Sequence, residues 1–187
     1  MDDRCFRLGD HGRYPASSHS HTKWIEILLT IAELWSQLLH SFPVEERSFA
    51  LPPATEKQIR QLEQEIGSEI PKGLRDLLQI TNGTSRDVSS DFHLYPPLLS
   101  IEQILIAHRQ NLDEIDLNGT IENMEFSYKW IPGVLLIADE DGAGFVIELS
   151  NEQVWSWDHD GWFFTKKADT IRDLLEKTVV DREFWCL

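Results

Sequence analysis

Short hydrophobic runs separated by polar turns dominate residues 131–164. The runs are rich in Val, Ile, Phe and Trp, and Gly, Asn and Asp punctuate them, which is typical of strands joined by tight turns. The runs are Val134–Ala138, Gly144–Leu149 and Gln153–Trp157, and the turn clusters are Asp139–Gly142 and Ser150–Glu152. The pattern predicts an antiparallel meander that is hydrophobic in its body and acidic at its turns.

The face on which Trp155 and Trp157 lie depends on the loop before them. A three-residue loop at 150–152 would set them opposite Ile147 and Phe145, whereas a two-residue loop would move them to the other face. We expect the first arrangement, the core face, because it unites four large apolar side chains. Trp162, which follows Gly161, is then the better candidate for an exposed anchor, and burial of its ring is the alternative.

A helical pattern spans Lys23–Ser41. Its apolar residues recur at helical spacing and predict one broad stripe. The stripe consists of Trp24, Ile27, Leu28, Ile31, Leu34, Trp35, Leu38 and Leu39. We expect this helix to pack on the core of the domain; the alternative is a docking or dimerisation helix, because a stripe with two Trp is a strong anchor.

Four further helices are predicted from capping and stop signals. Thr55 and Gln58 form a capping box before a helix that ends at Gly67, and a second helix runs from Pro71 to Asn82-Gly83. Ser100 and Gln103 open a third, and the last is expected at Ala168–Val180 with Asp169 or Thr170 as its cap. Phe92–Tyr95 is expected to be a short strand, residues 111–129 an irregular loop, and the tail Glu183–Leu187 to pack back on the body.

The net charge is −15, from 32 acidic and 17 basic side chains. Such a charge disfavours binding to nucleic acid or to an anionic membrane and favours a basic partner, although solubility alone would also explain it. Cys5 and Cys186 indicate free thiols of a reducing compartment. Residues 1–22 lack the apolar segment of a secretory signal and are expected to be a flexible tail, so we expect a soluble, cytoplasmic protein.

The sequence contains none of the motifs that mark a common hydrolase, metalloprotease or nucleotide-binding loop. Asp139–Gly144 fails the pattern of a calcium loop, because Ala143 stands where an oxygen ligand belongs. Asp158-His159-Asp160 is the most catalytic-looking triplet, but neighbouring residues on a turn point in different directions and no nucleophile is identifiable nearby. We therefore predict a protein that is not an enzyme and has no cofactor and no metal site.

Residues 51–83 resemble the start of the SUKH superfamily, which includes the Smi/Knr cell-wall assembly regulators of yeast and many bacterial proteins. The resemblance rests on Leu51-Pro52, a capped helix at Thr55–Ile66, Gly67, Pro71 and Asn82-Gly83. Later pieces are similar too, namely Ser100–Ile104, the acidic Gly turn in Ile137–Gly144, and Val154-Trp155 followed by Asp158–Asp160. The resemblance covers residues 51–178 and implies an α+β domain at 51–187, a mostly antiparallel sheet flanked by helices, with residues 23–48 as an N-terminal helical extension.

The resemblance also implies a function, because bacterial members are regarded as immunity proteins that neutralise toxins, many of them nucleases. An acidic inhibitor complements the basic surface with which a nuclease grips phosphates. We therefore expect a protein-binding module, a monomer or homodimer, with a basic toxin as its partner; the alternative is a regulatory or scaffold protein of the Smi/Knr type. The expected contact residues are Asp139, Glu140, Asp141, Asp158, His159, Asp160 and Trp162.

Overall fold

The computed structural model describes residues 29–85, 96–118, 133–140, 143–158 and 163–185; at 45, 46, 110–118, 140, 158, 163 and 164 it describes the backbone alone. Helices and one antiparallel sheet make an α+β fold, as expected. The helices are α1 (Ile31–His40), α2 (Glu56–Ile66), α3 (Lys72–Leu78), α4 (Ile101–Asn118) and α5 (Ile171–Val180), and the strands are β1 (Val134–Glu140), β2 (Ala143–Glu148), β3 (Val154–Asp158) and β4 (Phe163–Ala168). Two 3-10 helices follow α1 and α5, at Val44–Phe49 and Arg182–Trp185.

The sheet is a meander with the order β1-β2-β3-β4, and every neighbouring pair is antiparallel. The three predicted strands are confirmed, and β4 is an addition that the sequence pattern did not reveal. Asp139 and Glu140 were predicted to lie in a turn but belong to β1, where they pair with Gly144 and Ala143. The connection between β1 and β2 is therefore shorter than the turn cluster indicates.

The predicted register of β3 is wrong. Trp155 pairs with Val146, and Trp157 pairs with Gly144. The turn occupies residues 149–152, because Glu148 N–H donates to the carbonyl of Gln153. A four-residue turn shifts the pairing of β2 with β3. Both indoles therefore lie on the face of the sheet that does not carry the Phe145 side chain, and they are half-buried against the core.

Capping explains where the helices begin, and it corrects two of the expected limits. α1 begins at Ile31, because Thr30 is extended and forms a capping box with Glu33; the part of the predicted helix at 23–28 lies outside the described residues. α5 begins at Ile171 and not at Ala168, which ends β4, because the Thr170 hydroxyl caps the helix. The predicted capping boxes of α2 and α4 are both present.

The limits of α3 and α4 also differ from the expectation. α3 ends at Leu78, before Asn82-Gly83. α4 continues to Asn118 although residues 111–129 were expected to be irregular, since 111–118 contain neither Gly nor Pro to stop a helix. The strand expected at Phe92–Tyr95 lies outside the described residues, as does the tail 1–22.

α1 is part of the hydrophobic core. Leu34, Trp35 and Leu38 are buried, and α1 packs against α5 and α3. This confirms the expectation that the helix packs on the domain. The apolar face of α1 is therefore used within the chain and is not exposed as a docking stripe.

Backbone hydrogen bonds explain the two sequence pairs at the start of the domain. Leu51 N–H donates to the carbonyl of Gly83 at 3.0 Å, and Asn82 N–H donates to the carbonyl of Pro52 at 3.0 Å. The Asn82 side chain also accepts from the backbone of Ile101, the first residue of α4. Asn82-Gly83 therefore joins the entry to α2 with the start of α4, which is a structural role.

Candidate functional site

The meander brings the ends of β1 and β3, which lead into the two predicted acidic clusters, to the same end of the sheet. β1 ends at Glu140 and β3 ends at Asp158, and both residues are separated only by Ala143 of β2, which pairs with each of them. Neighbouring strands are spaced by about 4.8 Å, so the two acidic positions lie roughly 10 Å apart across the sheet. We call this end of the sheet the acidic end; it is formed by Asp139, Glu140, Ala143 and Asp158.

Asp139 is the one predicted contact residue whose side chain the structure describes, and it is half-buried. Its backbone N–H donates to the carbonyl of Pro97 at 3.3 Å, and Leu99 N–H donates to Ile137 at 2.9 Å. A further bridge joins Leu98 to Ala138. The segment 97–99 thus runs antiparallel along the outer edge of β1 and supports the acidic end from the side.

The remaining predicted contacts can be placed only in part. Glu140 and Asp158 are placed by their backbones alone. Asp141, His159, Asp160 and Trp162 lie outside the described residues. The structure therefore places only the strand ends that lead into the two clusters at one end of the sheet, and the roles of individual side chains stay predictions.

Acidic residues on α2 form ion pairs with arginines. Glu56 accepts from Arg60 and Arg75, and Glu65 accepts from Arg109 of α4. The hydrogen bond from Arg109 holds the pKa of the Glu65 carboxyl below its usual value. These ion pairs tie helices together and reduce the negative charge of that surface.

The opposite end of the sheet also carries acidic residues. Glu148 ends β2, and Glu152 lies in the following turn with a φ of 63°, where its carboxylate accepts from Gly73 N–H at 3.5 Å. α3 has no side-chain cap of its own, so Glu152 supplies one from a distant part of the chain. The sequence did not indicate this role, because the residue lies 79 positions from its partner.

A histidine, metal sites and membrane-spanning helices were also considered as functional features of the described residues. His108 is half-buried on α4, and burial lowers its pKa while the Glu65 carboxylate opposes the shift. Within the described ranges, no three His, Cys, Asp or Glu side chains come together as a metal site would require. Nor does any described helix combine the length and apolar character needed to cross a membrane.

Comparison with known proteins supports the resemblance and adds no individual relative. No characterised protein matches the chain significantly. The model of the SMI1 / KNR4 family (SUKH-1) matches residues 53–177, which is more than half of the 187 residues. The match contains α2 to α4, the whole sheet and most of α5, and it omits α1 and the C-terminal 3-10 helix. The chain therefore belongs to the SMI1 / KNR4 family (SUKH-1).

Proposed function

We propose that this chain is an immunity protein that neutralises a basic, nuclease-type toxin, and that the acidic end of the sheet is its contact surface. Membership of the SUKH family supports the general class, because the family includes toxin immunity proteins. The family also supports a role in protein–protein interaction. The choice of a basic toxin rests on the charge of the chain and on the topology of its sheet.

The observation that carries the proposal is that β1 and β3 end at the same end of the sheet, and that each leads into an acidic stretch of the sequence. Residues 139–141 and 158–160 are far apart in sequence, and the meander places the strand ends that lead into them on either side of β2. Five of these six residues are acidic. A basic surface would meet both stretches at once.

Electrostatics would act mainly on the rate and the specificity of capture. With a net charge of −15, the protein attracts a cationic partner over about 10 Å or less at physiological salt. A nuclease carries the complementary charge because it binds a polyanion. Such a complex would form quickly at low salt and more slowly as salt screens the charges.

The alternative function is that of a regulatory or scaffold protein that docks to its partner through α1. The packing of α1 argues against this role for the helix. Leu34, Trp35 and Leu38 already bury their side chains within the domain. Removing residues 1–48 would therefore remove part of the core, and loss of binding in such a fragment would not identify a docking helix. We further propose that the protein acts by binding alone, without catalysis, in the cytoplasm.

The test is inhibition of a toxin. A panel of purified toxin nuclease domains, basic and acidic, is assayed for cleavage of nucleic acid with and without this protein. We expect stoichiometric inhibition of a basic domain and no effect on the acidic ones. Tight binding to an acidic or neutral partner, with no effect on any basic domain, would overturn the proposal.

A further inference from the structure

The C-terminal 3-10 helix, Arg182–Trp185, contacts two distant parts of the molecule. At its first residue, the Arg182 guanidinium donates to the carbonyl of Ser41 at 3.3 Å and lies 5.4 Å from the centre of the Phe42 ring. Ser41 and Phe42 follow directly after α1. This end of the 3-10 helix therefore holds the C-terminal end of α1.

At its other end, Trp185 reaches the sheet. The indole is 1% exposed, its Nε1–H donates to the carbonyl of Pro96 at 2.9 Å, and its ring packs edge-on against Phe145 of β2. Pro96 directly precedes the segment 97–99 that pairs with β1. Trp185 therefore fixes the strip of chain that flanks the acidic end.

Two hydrogen bonds to Asp181 also hold the turn between these two contacts. Phe184 N–H donates to the carbonyl of Asp181, and Glu183 N–H donates to the Asp181 carboxylate at 3.0 Å. Phe184 lies 5.3 Å from the Lys177 ammonium group of α5. A turn held in this way has little freedom to let one end move without the other.

We propose that Arg182–Trp185 is a clasp that couples the packing of α1 to the geometry of the acidic end. Both α1 and the clasp lie outside the family match at 53–177, and both pack on the matched domain. The clasp holds segment 97–99 against β1, and α1 holds the clasp. This coupling concerns the geometry of the acidic end alone, so it can be tested independently of the partner that binds there.

The experiment is amide hydrogen exchange on the full chain, which reports local opening of each hydrogen bond. Trp185→Phe keeps an aromatic ring but removes the donor, and we expect exchange at the Asp139 and Leu99 amides to rise about fivefold, as loss of one hydrogen bond implies. Arg182→Ala should raise exchange at the same two amides by about twofold or more, although Arg182 does not touch them. The Glu148 amide, at the far end of the sheet, should not change.

Arg60→Ala serves as the matched control, because it removes an exposed arginine and its ion pair with Glu56 on α2. This variant should leave the Asp139 and Leu99 amides unchanged. Two results would overturn the clasp. In one, Arg182→Ala leaves both amides as they are; in the other, it accelerates the Glu148 amide as much as theirs, which indicates general destabilisation.

Discussion

Leu38→Ala tests whether α1 is part of the core, as its packing indicates. Leu38 is fully buried on the face of α1 that meets α5 and α3. Truncation removes three carbon groups, each worth about 0.8 kcal/mol when buried, so the lost transfer energy is about 2.4 kcal/mol. The cavity left behind adds to this, and we expect the free energy of unfolding to fall by about 3 kcal/mol.

The assay is urea unfolding followed by circular dichroism, with a thermal scan alongside it. A loss of about 3 kcal/mol should lower the melting temperature by about 6–12 °C in a chain of this size. Gln37→Ala is the control on the same helix, because Gln37 is exposed and its replacement should change stability by no more than about 0.5 kcal/mol. If Leu38→Ala costs under about 1 kcal/mol, α1 does not pack as described and the docking interpretation of this helix returns.

Three further results are expected. Gly83→Ala should cost more than about 3 kcal/mol in urea unfolding, because the backbone φ is +89° and an added Cβ would lie 2.6 Å from a backbone nitrogen. Gly67→Ala, at a φ of +74° with no atom near the added Cβ, should cost only about 1 kcal/mol, and equal costs would contradict this reasoning. Asp173→Asn should make the melting temperature depend less on pH between pH 7 and 2. Burial raises the pKa of the Asp173 carboxyl, but hydrogen bonds from Asp169 N–H and Lys177 together lower the pKa by more. A lowered pKa means that the contribution is present above the ordinary value of 3.8 and is lost as pH falls through the folded-state pKa, so an unchanged acid limb would refute the assignment.

Local signals predicted much of the fold because they act over a few residues. The capping boxes at Thr55 and Ser100 and the left-handed Gly67 are found where the sequence places them. The same signal was available at Thr30 and Glu33 and would have corrected the start of α1. The hydrophobic stripe obscured it, because apolar spacing alone does not show where a helix begins.

Features set by distant contacts were not predictable in the same way. β4 contains Thr165, Lys166 and Lys167, a polar stretch that becomes a strand because β3 pairs with it. The register of Trp155 depends on a four-residue turn that includes a residue with positive φ, which a sequence of common turn residues does not reveal. The shared location of the ends of β1 and β3 follows from antiparallel connectivity, so the sequence could predict it once the meander was recognised.

Two double variants with the same net charge can be compared, one altered at the acidic end of the sheet and the other at the opposite end. Glu140→Gln with Asp158→Asn removes two negative charges from the acidic end, and Glu69→Gln with Glu148→Gln removes two from the opposite end, where these residues line one groove. Both double variants should fold, because each substitution keeps the shape of the side chain and its capacity to accept a hydrogen bond. Only the location of the lost charge differs between them.

The most direct measurement is the Kd of each double variant for a basic nuclease domain that the unaltered protein inhibits, by titration calorimetry at low and high salt. We expect the acidic-end variant to bind about tenfold more weakly at low salt, a loss of about 1.4 kcal/mol, with a shallower dependence on salt. The opposite-end variant should bind almost as well as the unaltered protein. Equal weakening of both variants, or none in either, would contradict the assignment of the acidic end as the contact surface.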